Sequence, residues 1–248
     1  MQPNEYSRLF EAEDHTWWFR GRRRVVASVV EKLLLPPDPK LLDIGCGTGG
    51  NLAMLGQFGS VIGVEPSADG RRLAMSRGVA EVIEGTAEAT GLPDASADMV
   101  SMLDVLEHLD DDAGALNEVV RVLKPGGWLV LTVPAFMFLW SGHDEALHHK
   151  RRYRRAQLDR VLRGAGLVPD TLTYYNAALF PPVAAIRVAR RLLDKVRGNA
   201  GEAVADDASL SWRPLNTALE TLFAAERYLV GRVPLPFGVS LIATARRT

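Results

Sequence analysis

Leu41-Leu42-Asp43-Ile44-Gly45-Cys46-Gly47-Thr48-Gly49-Gly50 decides the fold class. A short apolar run closes on a carboxylate, and glycines at alternate positions then let the chain turn tightly from a strand into a helix. Working outward, Lys40 to Ile44, Val61 to Val64, Ala80 to Ile83, Met99 to Leu103 and Trp128 to Val133 read as buried strands with helical spacing between them. That alternation predicts right-handed βαβ units and an α/β fold with a doubly wound, mainly parallel sheet. Lys124-Pro125-Gly126-Gly127 marks the turn out of a helix into the fifth strand. Val168 to Tyr175 and Val239 to Ala245 predict two further strands.

The segments divide a single expected domain of 248 residues. Residues 1–36 form an N-terminal helical cap, helical from about Glu5 to Leu35 and stopped by Pro36-Pro37-Asp38-Pro39. Residues 37–175 form the core, with a lid at about 135–153; residues 176–235 are a helical insertion, and 236–248 carry the last strand. Within the insertion, Gly198 to Ser209 is small, polar and acidic, which predicts a linker between two helices.

The glycine loop has two readings. Gly45-x-Gly47-x-x-Gly50, with Glu65 about 20 residues on at the end of the next strand, satisfies the dinucleotide fingerprint and points to a nicotinamide oxidoreductase. Asp43 argues against it. A fixed negative charge directly before the glycines repels a pyrophosphate, whereas it suits a ligand that carries an ammonium and a sulfonium.

The segment Leu42 to Gly49 resembles the first motif of class I S-adenosylmethionine (SAM)-dependent methyltransferases, and the likeness runs on through most of the chain. Gly63-Val64-Glu65-Pro66-Ser67 resembles their second, acidic motif, and Glu84-Gly85-Thr86-Ala87-Glu88 their third-strand segment, with Thr86 where that family usually has Asp. Asp98 to His108 resembles the fourth, and Arg121 to Gly127 the turn before strand five. The resemblance is to the small-molecule group that includes ubiquinone and menaquinone methyltransferases. It implies a seven-stranded Rossmann-like sheet, order 3-2-1-4-5-7-6, with the last strand antiparallel. It also implies SAM as cofactor, contacted by Asp43, Gly45, Cys46, Gly47, Gly49, Glu65, Pro66, Thr86, Ala87, Leu103 and Asp104. Gly45 and Gly47 would approach the methionine portion, Glu65 the ribose hydroxyls, and Leu103 with Ala87 the adenine.

Methyl transfer from a sulfonium is an in-line displacement, in which alignment and exclusion of water do much of the work and a base is optional. Histidines are the candidate bases: His108 after the fourth strand, and His143, His148 and His149 in the lid. His143 with Asp144 reads as a base and its orienter, or as part of a polar cluster that pins the lid. Asp104, Glu107 and His108 have i, i+3, i+4 spacing; a similar Glu-x-x-Glu-His segment in ubiquinone O-methyltransferases is linked with magnesium, while a helix start with no metal is the plainer reading. Trp17, Trp18 and Phe19 are read either as a fold over the cofactor or as core packing, with Arg20 or Arg23 able to meet the methionine carboxylate.

Ala177 to Val196 sets Leu179, Phe180, Val183, Ile186, Leu192 and Leu193 against Arg187, Arg190, Arg191 and Lys195. Such a helix roofs an apolar acceptor pocket or lies on an anionic membrane surface. The charge balance is even, with 29 Lys and Arg against 30 Asp and Glu, so no global field recruits nucleic acid. One cysteine, Cys46, excludes a disulfide framework, and the acidic N-terminal stretch lacks a signal peptide's pattern. The expectations are a cytoplasmic monomer or homodimer, a small-molecule and partly hydrophobic acceptor, and SAM as cofactor; a SAM-binding protein without catalysis remains the other rival.

Overall fold

The computed structural model describes residues 3–197 and 212–248. Helices α1 (Pro3–His15) and α2 (Trp17–Val30) lead into β1 (Lys40–Ile44), α3 (Leu52–Leu55), β2 (Ser60–Val64), α4 (Ala68–Ser76) and β3 (Glu81–Ile83). Then come β4 (Ala97–Leu103), α5 (Asp112–Val122), β5 (Leu123–Pro134), α6 (Gly142–Ala146), α7 (Arg155–Gly164) and β6 (Leu167–Tyr175). Helices α8 (Phe180–Arg197) and α9 (Arg213–Ala225) precede β7 (Ser240–Arg247). The sheet has seven strands in the order β3-β2-β1-β4-β5-β7-β6. Strand β7 runs antiparallel to β5 and β6, and the other pairings are parallel. This is the expected architecture.

Alternate residues of each strand feed two hydrophobic clusters, as a sheet covered on both faces requires. Leu42, Ile44, Val100, Met102, Leu129 and Leu131 pack with Leu116 and Val119 of α5. Leu41, Met99, Val130 and Ile242 pack with Val25, Val26 and Val29 of α2 and Phe223 of α9. No helix among the described residues is long and apolar enough to cross a membrane.

The N-terminal cap departs from a continuous helix. The chain breaks at Thr16, whose own side chain makes no capping bond. Asn216 of α9 supplies it: its Oδ1 accepts from Trp17 N at 2.9 Å, and its Nδ2 donates to His15 O at 2.8 Å. One amide thus satisfies the start of α2 and the end of α1, 199 residues away in sequence. Helices α2 and α9 lie close because residue 21 is glycine; a Cβ there would stand 2.6 Å from Phe223 Cδ1. Arg20 and Arg24 meet the buried Glu220 of α9 at 3.1 and 2.8 Å along the same seam.

Strand β5 begins earlier than the apolar run suggests. Leu123 already pairs with Ala97, and the register then jumps so that Met99 faces Trp128, with Gly126 at φ +76° inside the bulge. The polar stretch Gly198 to Ser209 lies outside the described residues, as do the side chains of Arg191, Leu192, Leu193 and Lys195.

Candidate functional site

The ends of β1, β2, β4, β5 and β6 meet at one edge of the sheet, where an open parallel sheet binds ligands. Three non-glycine residues with left-handed backbones stand there: Asp104 (φ 60°) directly after β4, Phe136 (58°) just beyond β5 and Asn176 (55°) directly after β6. Such conformations cost on the order of 1 kcal/mol each and persist where the surroundings over-determine them.

The glycine loop follows β1. Gly45 takes φ +71°, and a Cβ on it would lie 2.6 Å from Val105 Cγ2, so only glycine lets the loop pass the segment after β4. Asp43 is buried, and its Oδ1 accepts from the Ser101 hydroxyl at 2.7 Å across the β1–β4 pairing. Its Oδ2 is buried with no donor. Burial pushes this carboxyl up to about 7, against the pull of the Ser101 hydrogen bond and the Arg22 charge. Cys46 is buried and faces Gly63 of β2, where a Cβ would stand 2.7 Å from its Sγ; burial raises the thiol, and its role here is packing.

Glu65 sits at the end of β2, 5% exposed. Its Oε2 accepts from Gly47 N at 3.0 Å, and its Oε1 from Ser67 N at 3.0 Å and the Tyr6 hydroxyl at 3.2 Å. Tyr6 belongs to α1, which also places Glu13 against the loop: Glu13 Oε2 accepts from the Thr48 hydroxyl at 2.5 Å and from Arg77 at 2.9 Å. Helix α1 therefore closes over the loop through polar side chains. Tyr6 and Glu13 carry no sequence signal, because their partners lie 59 and 35 residues away. Pro66 and Thr86 are exposed, with the Thr86 hydroxyl accepting from Ala89 N at 3.1 Å in a local turn. Ala87 and Leu103 are both buried, each in a different hydrophobic cluster.

Among the arginines of α2, Arg22 reaches the residue that follows β4. It is buried, ion-pairs with Asp104, reaches Asn51 at 3.4 Å and lies over the Trp18 ring at 4.7 Å. The predicted Arg20 points the other way, half exposed on Glu220, because residues two apart on a helix diverge by about 200°. Arg23 is tied to Gly50 O and Glu13 O. Trp17 packs edge-on against Phe223, so of the three adjacent aromatics it is a core residue.

The lid pairs its residues differently from the predicted His143–Asp144 dyad. Ser141 starts α6, and Asp144 turns back to accept from Ser141 N at 2.9 Å in a capping box. The chain then reverses at His148 (φ 56°), which returns His149 so that its Nδ1 lies 2.9 Å from Asp144 Oδ1. Arg152 grips both carboxylate oxygens at 2.7 and 3.0 Å. Burial opposes ionisation of Asp144, but the bonds from His149 and Arg152 outweigh it and hold the carboxyl well below its usual range. His143 has no hydrogen bond to Asp144; burial and the Arg187 charge lower its basicity.

His108 and Glu107 lie on a single 3-10 turn after β4. Burial and the neighbouring His149 push His108 down to about 4. Asp104 is committed to Arg22 and to the Thr132 hydroxyl at 3.1 Å, so Asp104, Glu107 and His108 do not form the shared helical face that their spacing suggested. Beside the lid, Phe136, Phe138, Tyr174, Phe180 and Phe237 form a ring-on-ring wall, with Phe136 stacked on Tyr174 at 4.8 Å. Arg187, expected on a basic outer face of α8, turns inward and donates to Leu139 O at 2.6 Å.

With this geometry in place, the comparisons agree with each other. Residues 42–131 match the methyltransferase domain family, a span that holds the glycine loop, Glu65 and the turn after β4. A Mycolicibacterium smegmatis protein named as a probable S-adenosylmethionine-dependent methyltransferase is 31% identical over 66% of this chain and 65% of its own length. A SAM-dependent methyltransferase of Thermotoga maritima superposes with TM-score 0.61 at 21% identity, covering 99% of this chain and 95% of that one. A geranyl diphosphate methyltransferase solved with SAM gives 0.61 at 16% identity, over 92% and 85% of the two chains.

Residues 42–131 carry the likeness to the methyltransferase domain, and the fold is that of the class I methyltransferases. The structural likenesses show the shared fold, and the chain spans less than two thirds of the length of the curated relatives it matches, 65%, 43% and 56% in three of them.

Proposed function

We propose that this chain transfers the methyl group of SAM to a small-molecule acceptor with an apolar portion, leaving S-adenosylhomocysteine. The observation that carries the reading is Asp43: a buried carboxylate at the mouth of the glycine loop, one oxygen held by Ser101 and the other with no donor. A carboxyl that burial raises to about 7 gains most from a cationic partner, which favours its ionised form, and in that form it repels phosphate. The ammonium and sulfonium of SAM supply positive charge, with Gly45 and Gly47 allowing the methionine portion close approach and Glu65 accepting from the ribose hydroxyls. Tyr6, now on Glu65, would shift to share that carboxylate.

The reaction is an in-line displacement. The acceptor's heteroatom forms its bond to the methyl carbon as the S–CH3 bond breaks, and the bonding pair stays on sulfur. His108 and His143 flank His149, their ring centroids 4.7 and 6.5 Å from its own, and burial favours the neutral imidazole in both. The aromatic wall of Phe136, Phe138 and Phe180 supports an acceptor with apolar surface, and a lipid or quinone-like molecule met at a membrane surface is the narrower version of the same reading.

Isothermal titration of the intact chain with SAM and, separately, with NADH tests the proposal. SAM is expected to bind and NADH to fail; Glu65→Ala, which removes charge-assisted hydrogen bonds, should weaken SAM by roughly 10- to 100-fold. NADH binding with no response to SAM would overturn it. Profiling a compound library with isotopically labelled SAM then identifies the acceptor, and SAM binding without turnover on any compound would mark a non-catalytic SAM-binding protein.

A further inference from the structure

We infer that Glu107, His108 and His149 form a binding site for one divalent transition-metal ion. Each offers a ligand atom, and the three atoms lie within 4.8 Å of one another. Glu107 carries the argument. It is fully buried, and neither carboxylate oxygen has a hydrogen-bond partner. An uncompensated buried carboxylate costs several kcal/mol, and the two arginines whose charge reaches it, Arg22 and Arg152, are already paired with Asp104 and Asp144. The group that approaches Glu107 is His149, whose Nε2 stands 4.0 Å from Oε1.

His149 is set up as a ligand. Asp144 holds its Nδ1 at 2.9 Å and is itself locked by Arg152, which leaves Nε2 directed at Glu107. A carboxylate on one imidazole nitrogen with a metal on the other is the arrangement that orients ligating histidines in metalloproteins. The His108 ring lies at 84° to that of His149, centroids 4.7 Å apart, so the two imidazoles do not stack and their nitrogens can converge. Backbone packing holds the turn to the lid, since Lys150 N donates to Glu107 O at 2.8 Å.

Two nitrogens and one carboxylate favour zinc, manganese, iron, cobalt or nickel over magnesium, which prefers an all-oxygen shell. A tetrahedral ion with bonds of about 2.1 Å needs ligand atoms about 3.4 Å apart, so the side chains must close by about an ångström. Three protein ligands leave a coordination position free, the feature of catalytic rather than structural zinc sites.

The catalytic role of such an ion rests on the methyl-transfer reading; its binding does not. Held by these three residues, such an ion would acidify an acceptor hydroxyl, and His143, whose ring lies 6.5 Å from that of His149, would take the O–H proton. The acceptor oxygen then forms the C–O bond as the S–CH3 bond breaks, and the electron pair remains on sulfur.

The test uses the full chain, stripped with a chelator and titrated with Co2+ under visible absorption, then with Zn2+ and Mg2+ by calorimetry. One Co2+ or Zn2+ per chain is expected, with Mg2+ weak. Glu107→Gln and His149→Ala should each lower affinity on the order of 100-fold or more, and Asp144→Asn by about 10- to 100-fold. His15→Ala, remote from the cluster, should change nothing. Circular dichroism checks each variant, and the near-isosteric Glu107→Gln carries the test should His149→Ala fail to fold. No binding to the wild-type chain, or unchanged binding in Glu107→Gln, overturns the site. Metal binding by a chain that does not bind SAM leaves the site standing and refutes the methyl-transfer role, as does full turnover by the stripped enzyme.

Discussion

Asp43→Asn should make the protein's stability less sensitive to alkali. In the fold, burial raises this carboxyl to about 7 from an ordinary value near 3.8. Between those values the native state holds a proton that the unfolded chain has released, so the group's contribution to stability is present below about pH 4 and is lost as pH rises through about 7. From about pH 5 to about pH 8.5 the loss is near two pKa units, or about 3 kcal/mol. An amide in its place does not titrate. The difference in unfolding free energy, variant minus wild type, should therefore rise by about 3 kcal/mol across that range. The fixed cost of leaving the new NH2 unpartnered cancels in this comparison. For a chain of this size the differential shift in Tm is roughly 6–12 °C, measurable by thermal unfolding at the two pH values. The same substitution should weaken SAM. A stability difference that stays constant with pH would refute the burial argument, and with it the claim that Asp43 waits for a cation.

Two further substitutions test the architecture around the site. Asn216→Ala removes the amide that joins α1 to α2 and should lower global stability by about 0.5–2 kcal/mol, seen as a lower denaturant midpoint with an unchanged slope; no change would show that water replaces the cap. Asp144→Ala leaves Arg152 buried without its partner and should cost about 3–5 kcal/mol, read as faster tryptic cleavage at Lys150 to Arg152; wild-type resistance would remove Asp144 as the anchor of the lid.

The strands were legible because their signal is local. Apolar runs such as Val61 to Val64 and Met99 to Leu103 bury both faces, and the glycines after β1 are demanded by backbone angles and by the nearness of Val105. Asp43 and Glu65 were readable for the same reason: each lies within a residue or so of a strand end, so chain position alone brings them to the ligand edge. The choice of Arg22 over Arg20, the exchange of His143 for His149 on Asp144, and the cap from Asn216 were not readable. These depend on helix rotation, on a left-handed reversal at His148 and on a contact across 199 residues, none of which leaves a periodic trace.

What the sequence by itself determined was the sheet, its order through resemblance, and a glycine loop flanked by two carboxylates. Tertiary structure decided which charges meet. Asp104 was claimed by Arg22, Asp144 by Arg152 and His149, and Glu107 was left buried with no hydrogen bond to its carboxylate, because desolvation and pairing depend on distances that only the packed chain sets.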